Sequence, residues 1–112
     1  MKGKVVLVQF PFDDLSSSKV RPAYCLTSPI GVNRHVIFAL ITSRIPTVLL
    51  DTDIVLDAAH PDFVVSGLLK PSTLRLDHVI TLKQTMVRRE LGELSVTTQE
   101  QICEKLCALL SG

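Results

Sequence analysis

The segment RHVIFALITSR, residues 34 to 44, is apolar through both of its alternating sets: Val36, Phe38 and Leu40 on one, Ile37, Ala39 and Ile41 on the other. A β-strand sends successive side chains to opposite faces. This strand therefore has no face to give to water and must be a central one, covered on both sides. Pro46 ends it. Such a strand needs neighbours at both edges and packing on both faces. The chain has 112 residues, 46 % of them hydrophobic, which is enough for one domain spanning residues 1–112 with a real core.

The remaining elements follow from pattern and punctuation. KVVLVQF, residues 4 to 10, is rich in β-branched residues and predicts a strand. PFDDLSSSKVR, residues 11 to 21, is a polar loop, longer than an ordinary hairpin connection, and long loops in small domains tend to carry function. PAYCLTS, residues 22 to 28, resumes as a strand with proline at its first position. PIGVN is a turn, DTDIVLD an alternating strand with one wet face, and AAHPDF a turn or at most a helical turn. VVSGLL and STLRLDHVITL predict two further short strands, separated near Lys70 and Pro71. The period then changes. Thr97 and Glu100 have the spacing of a capping box. After them Ile102, Cys103, Leu106, Cys107, Leu109 and Leu110 form one apolar stripe of a helix packed on the sheet. Five or six short strands followed by one helix make a small, β-rich α+β domain with a strongly bent sheet or partial barrel.

Composition excludes some classes and leaves others open. A formal net charge of +1 is no strongly basic footprint, although a local basic patch remains compatible with it. No apolar run reaches membrane-spanning length. The opening MKGKVVLVQF lacks a signal-peptide cleavage site, so a soluble cytoplasmic protein is expected. Cys25, Cys103 and Cys107 have no CxxC spacing and read as small buried hydrophobes in a reducing compartment. Asp51, Asp53, Asp57, His60 and Asp62 lack the spacing of a metal site and read as solvated edge residues, so no metal is expected. There is no nucleophile elbow, dinucleotide fingerprint or Walker loop.

Three places could carry chemistry. Arg21 precedes Pro22, and a residue before proline is held extended. A guanidinium fixed where a mobile loop meets a rigid strand suits a phosphate or carboxylate, and is otherwise a surface arginine at a strand start. Thr42, Ser43 and Arg44 end the apolar strand, where they either line a cleft or mark the strand surfacing. In TLRLDH, Arg75 and Asp77 share a face while Leu74 and Leu76 point inward. The pair is either a solvated ion pair or an acid or base beside a phosphate-binding cation.

Taken in order, VVLVQFPFDDLSSSKVRPAYCLTS, FALITSR and LRLDHVITL resemble the MazF/PemK family of toxins from bacterial toxin–antitoxin pairs. The likeness covers nearly the whole chain and rests on the F-P-F, the polar loop, the R-P strand start and the T-S strand end together. It implies a CcdB/MazF-like, SH3-like barrel of antiparallel strands with a C-terminal helix, usually as a homodimer. It also implies a metal-independent, cofactor-free endoribonuclease that cleaves single-stranded mRNA at chosen sequences and is blocked by a cognate antitoxin. Arg21 matches the family's loop arginine, Thr42 its strand hydroxyl, and Arg75 and Asp77 an arginine and acid that some members use in cleavage. Ser18, Lys19, Ser43, Arg44 and Lys70 are then the expected RNA contacts. Three positions depart from the pattern. Lys4 follows Gly3 where an acid is usual, Ile80 stands where many members are basic, and the first loop has no histidine. The first two bear on RNA contacts, and the third removes one candidate acid or base.

On this reading the 2′-hydroxyl of RNA is the nucleophile. Asp77 is the expected base, Arg21 contacts the phosphoryl oxygens as charge develops, Arg75 grips the phosphate or helps donate a proton, and Thr42 orients the phosphate. The alternative is a non-catalytic binding toxin of the same fold, of the gyrase-inhibiting type. A plain peptide-binding domain is disfavoured by the chain's 4 % aromatic content, with no tryptophan and one tyrosine.

Overall fold

The computed structural model describes residues 1–10 and 20–112. Among these residues six antiparallel strands form one sheet: β1 (Lys4–Gln9), β2 (Val20–Cys25), β3 (His35–Thr42), β4 (Asp53–Leu56), β5 (Ser72–Lys83) and β6 (Val87–Glu93). Their order across the sheet is β4-β5-β3-β2-β1-β6. Among the described residues there are also two helices, α1 (Phe63–Ser66) and α2 (Val96–Ser111), and a 3-10 turn (Gln84–Met86) that joins β5 to β6. This is the expected mainly β, α+β class with a C-terminal helix. Among the described residues the edge strands β4 and β6 share no ladder, so the bent sheet stops short of a closed barrel.

The doubly apolar segment is β3, and it lies inside the sheet as its pattern requires. Val36 and Phe38 pack on one face with Val6, Val8, Ala23 and Cys25. Ala39 and Ile41 pack on the other with Val5, Tyr24, Leu74 and Leu76. Each fully buried side chain of this size contributes about 1.5–3 kcal/mol, so neither face tolerates a charge. Beneath the second cluster lies α2, which adds Ile102 and, in part, Leu106.

Several expectations are corrected. VVSGLL is no strand: Phe63–Ser66 form α1, and Gly67 ends it with φ of 74°. Val64 and Val65 on that turn are exposed, whereas a strand reading would have buried one of them. Two glycines let α1 lie against β6. A Cβ on Gly67 would stand 2.0 Å from the Leu91 carbonyl oxygen, and one on Gly92 would stand 2.0 Å from that of Val65. STLRLDHVITL belongs to a long strand of 12 residues. It stays long by breaking register. Ala39 faces Val79, the next residue Leu40 faces Arg75, and residues 76–78 leave the ladder with β3. Strand β6, VRRELGE, was not anticipated, because its charged, half-exposed sequence shows no clear alternation.

The helix cap also moves. Ser95, rather than Thr97, is the N-cap, its Oγ accepting from the Thr98 N–H at 3.3 Å. The Ser95 N–H and hydroxyl both donate to Asp62 Oδ2 at 2.9 Å. That long-range anchor selects between two local cap sequences. Beyond Ile102 and Leu106 the helix overhangs the sheet, leaving Cys103, Cys107, Leu109 and Leu110 exposed. Only Cys25 is the buried hydrophobe foreseen for all three cysteines.

Candidate functional site

The β2–β3 ladder runs from Cys25↔Phe38 to Ala23↔Leu40 and stops there. The next residue of β2 is Pro22, which has no N–H to give a ladder. Past it the strands part. Between Val20–Pro22 on one side and Leu40–Arg44 on the other opens a groove of about 880 Å³, walled further by Phe10, Pro46, Arg75 and His78. Pro22 was expected to begin its strand; β2 begins at Val20, so Arg21 lies within the strand and pairs with Val8 on β1.

Arg21, Thr42, Ser43, Arg44 and Arg75 all line this groove, though they come from separate stretches of chain. Thr42 Oγ1 accepts the Arg44 N–H at 3.2 Å. The hydroxyl hydrogen is thereby left as the donor available to a ligand. Arg75 is fixed from behind. Its Nε donates to Asp53 Oδ1 at 3.3 Å, and Asp53 Oδ2 accepts the Leu50 N–H at 3.0 Å. The Asp53 side chain is fully buried, while that of Arg75 is 28 % exposed. Asp77 Oδ1 stands 3.9 Å from the same Nε. Three arginines thus line one concavity of a chain whose formal charge is only +1, a local concentration that favours an anionic ligand.

Asp53, Asp57 and Asp62 have tasks other than the solvation expected of them. Asp53 holds Arg75, Asp57 accepts the Ala59 N–H at 3.0 Å, and Asp62 anchors Ser95. Burial alone pushes the Asp62 carboxyl up. Hydrogen bonds from Thr98 and Ser95 outweigh that and hold it below the usual carboxylate value.

Not every expected residue joins the groove. Asp77 reaches it through its neighbours Arg75 and His78 rather than by lining it. Lys70 borders a second cavity of about 310 Å³, walled by Leu7, Leu68, Leu91 and Arg89, which meets the groove at Pro22 and Ser43. Ser18 and Lys19 lie outside the described residues. One residue was missed. His78 lines the groove with Nε2 3.6 Å from Asp77 Oδ2. Strand alternation would have set it on the face opposite Asp77, and the sequence gives no sign of the break at residues 76–78.

The departures at Lys4 and Ile80 acquire local explanations. Lys4 Nζ makes ion pairs at 3.2 Å with Glu90 and Glu93, stitching β1 to β6, and those hydrogen bonds raise its pKa. Ile80 packs against the cluster around Phe38. Among the described residues, no helix is long and apolar enough to cross a membrane.

Residues 1–110 match a family described as PemK-like, MazF-like toxin of type II toxin–antitoxin system. No curated protein matches the chain in sequence. Among solved structures, the Mycobacterium tuberculosis toxin MazF-mt6 is similar at a TM-score of 0.69 and 23 % identity, over 96 % of both chains. MazF from Deinococcus radiodurans is similar at 0.71 and 23 % identity, over 99 % of this chain and 96 % of that one. An endoribonuclease in complex with its cognate antitoxin, from a mycobacterial species, is similar at 0.67 and 17 % identity, over 99 % of this chain and 94 % of that one.

Proposed function

Because this chain belongs to the family of PemK-like, MazF-like toxins of type II toxin–antitoxin systems, we propose that it is a toxin that cuts single-stranded RNA at selected sequences without a metal. The observation that carries this reading is the groove of about 880 Å³ at the parting of β2 and β3, lined by Arg21, Thr42 and Arg75 and roomy enough to admit a phosphodiester and its flanking sugars.

The substrate supplies its own nucleophile, the 2′-hydroxyl, which DNA lacks. Asp77 accepts its proton. Arg21 and Arg75 meet the phosphoryl oxygens as negative charge builds on them, and their preorganisation is what makes such donors effective. The Nε of Arg75 is engaged by Asp53, so its terminal amino groups are the ones offered to phosphate. Thr42 donates its hydroxyl hydrogen to a non-bridging oxygen. Ser43 and Arg44 follow the neighbouring backbone, and Lys70, at the adjoining cavity, extends that track. Ser18 and Lys19, which precede β2 in the sequence, complete the proposed RNA contacts. A protein antitoxin is one proposed partner, on the precedent of the mycobacterial endoribonuclease in complex with its cognate antitoxin; a second copy of the chain is the other.

The test is incubation of the purified protein with a mixed-sequence RNA and with DNA of the same sequence, each with and without EDTA. Cutting of RNA alone, undiminished by the chelator, is expected. Loss of cutting in EDTA would overturn the metal-free mechanism. Arrest of growth with intact RNA would replace the nuclease with a binding toxin.

A further inference from the structure

Cleavage by the 2′-hydroxyl requires an acid as well as a base, because the departing 5′-oxygen needs a proton. Asp77, assigned to take the O2′ proton, cannot in the same step be the group that gives one to the leaving oxygen. A guanidinium stays protonated in proteins and is a reluctant donor. Imidazole is the side chain whose ordinary range lets it hold a proton and surrender it near neutral pH.

Among the described residues, His78 is the histidine that lines the groove. His35 begins β3 at the strand's opposite end. His60 is occupied in a turn, its Nδ1 accepting the Asp62 N–H at 3.0 Å. His78 reaches the groove because β5 leaves its ladder with β3 over residues 76–78. A bulge of this kind re-aims side chains and recurs beside active sites. The His78 side chain is half exposed, and its Nε2 is turned toward Asp77 at 3.6 Å, which leaves Nδ1 for a substrate.

We propose that His78, as imidazolium, is the general acid of the cleavage, with Asp77 as its complementary base; this rests on the ribonuclease reading above. As the O2′–P bond forms, the O2′ proton passes to Asp77. As the P–O5′ bond breaks, the 5′-oxygen takes the Nδ1 proton of His78. The products are a 2′,3′-cyclic phosphate and a 5′-hydroxyl, with no water consumed and no change of oxidation state. Exchange with solvent restores both groups, since both side chains are accessible. Among the described residues, the charged groups around His78 are Asp77 and Arg75 on β5, Arg21 on β2, Arg44 beyond β3, and Asp53 on β4 behind Arg75.

The deciding experiment compares the parent with His78→Gln on two RNAs of one mapped cleavage sequence, the second carrying sulfur in place of the scissile 5′-oxygen. A thiolate leaves without protonation. The variant should cut ordinary RNA about 100-fold more slowly, lose the alkaline fall of the parent's pH–rate profile, and cut the sulfur-substituted RNA within about threefold of the parent. Equal losses on both RNAs, or an unchanged rate on ordinary RNA, would overturn the assignment of His78 alone. A parent protein that cuts neither RNA would instead overturn the ribonuclease reading, and the acid with it.

Discussion

Asp53 keeps a fully buried carboxylate on an edge strand, and two donors make that tolerable: the Arg75 guanidinium and the Leu50 N–H. Removing its charge leaves Arg75 without its rear partner. Because Arg75 is partly exposed, water compensates in part. Asp53→Asn is expected to cost about 1–2 kcal/mol in urea unfolding and to slow RNA cutting about tenfold through a less well-fixed arginine. An unchanged rate would show that Arg75 needs no such hold. Arg21 belongs to the same scale. Replacing it by alanine should slow cleavage by about 100- to 1,000-fold, the usual effect of losing one preorganised donor. A rate within about threefold of the parent's would remove Arg21 from the mechanism. Arg21, Thr42 and Arg75 could be singled out in the sequence because each sits beside a local marker: a proline, a strand end, an alternating acid. His78 has no such marker, since its position depends on a register break that is decided between strands.

At the scale of elements, the contact of α1 with β6 depends on two missing side chains. Gly92→Ala would set a methyl group 2.0 Å from the Val65 carbonyl oxygen, and backbone cannot yield as a flexible side chain would. The variant should lose about 3 kcal/mol or more, or fail to accumulate folded, as seen by thermal unfolding. The second helix hangs on Asp62. Its carboxyl is held below the ordinary 3.8 in the native state. The unfolded chain therefore binds the proton first as pH falls. The stability Asp62 contributes is complete above that ordinary value and disappears as pH drops through the lower native one. From about pH 5 to about pH 3 the urea midpoint of the parent should fall more steeply than that of Asp62→Asn. Parallel curves would show that the Ser95 anchor does not depend on charge. The strands with strong β-branched or doubly apolar patterns were legible. Elements fixed by partners far along the chain were not: α1 by its seat on β6, β6 by its pairing with β1, and the cap of α2 by Asp62.

For the whole molecule, the class followed from β3, because a doubly apolar strand in a chain this short demands a sheet with cover on both faces. The open edge between β4 and β6 and the parting of β2 from β3 are matters of register, which alternation alone does not reveal. Charge distribution yields a test at this scale. With Arg21, Arg44 and Arg75 in one groove, binding of an uncleavable RNA, its scissile 2′-hydroxyl replaced by hydrogen, should weaken with salt. The expected slope of log affinity against log salt is about −2, near −0.7 for each phosphate neutralised on a single strand. A slope near zero would mean that the groove does not hold the RNA backbone.

The pairing of β1 with β6 joins Lys4 to Glu93 across nearly the full length of the polypeptide. On a ribosome β1 must therefore wait for β6 before that edge is covered. A translation product broken off before residue 87 has no β6 with which to finish the sheet.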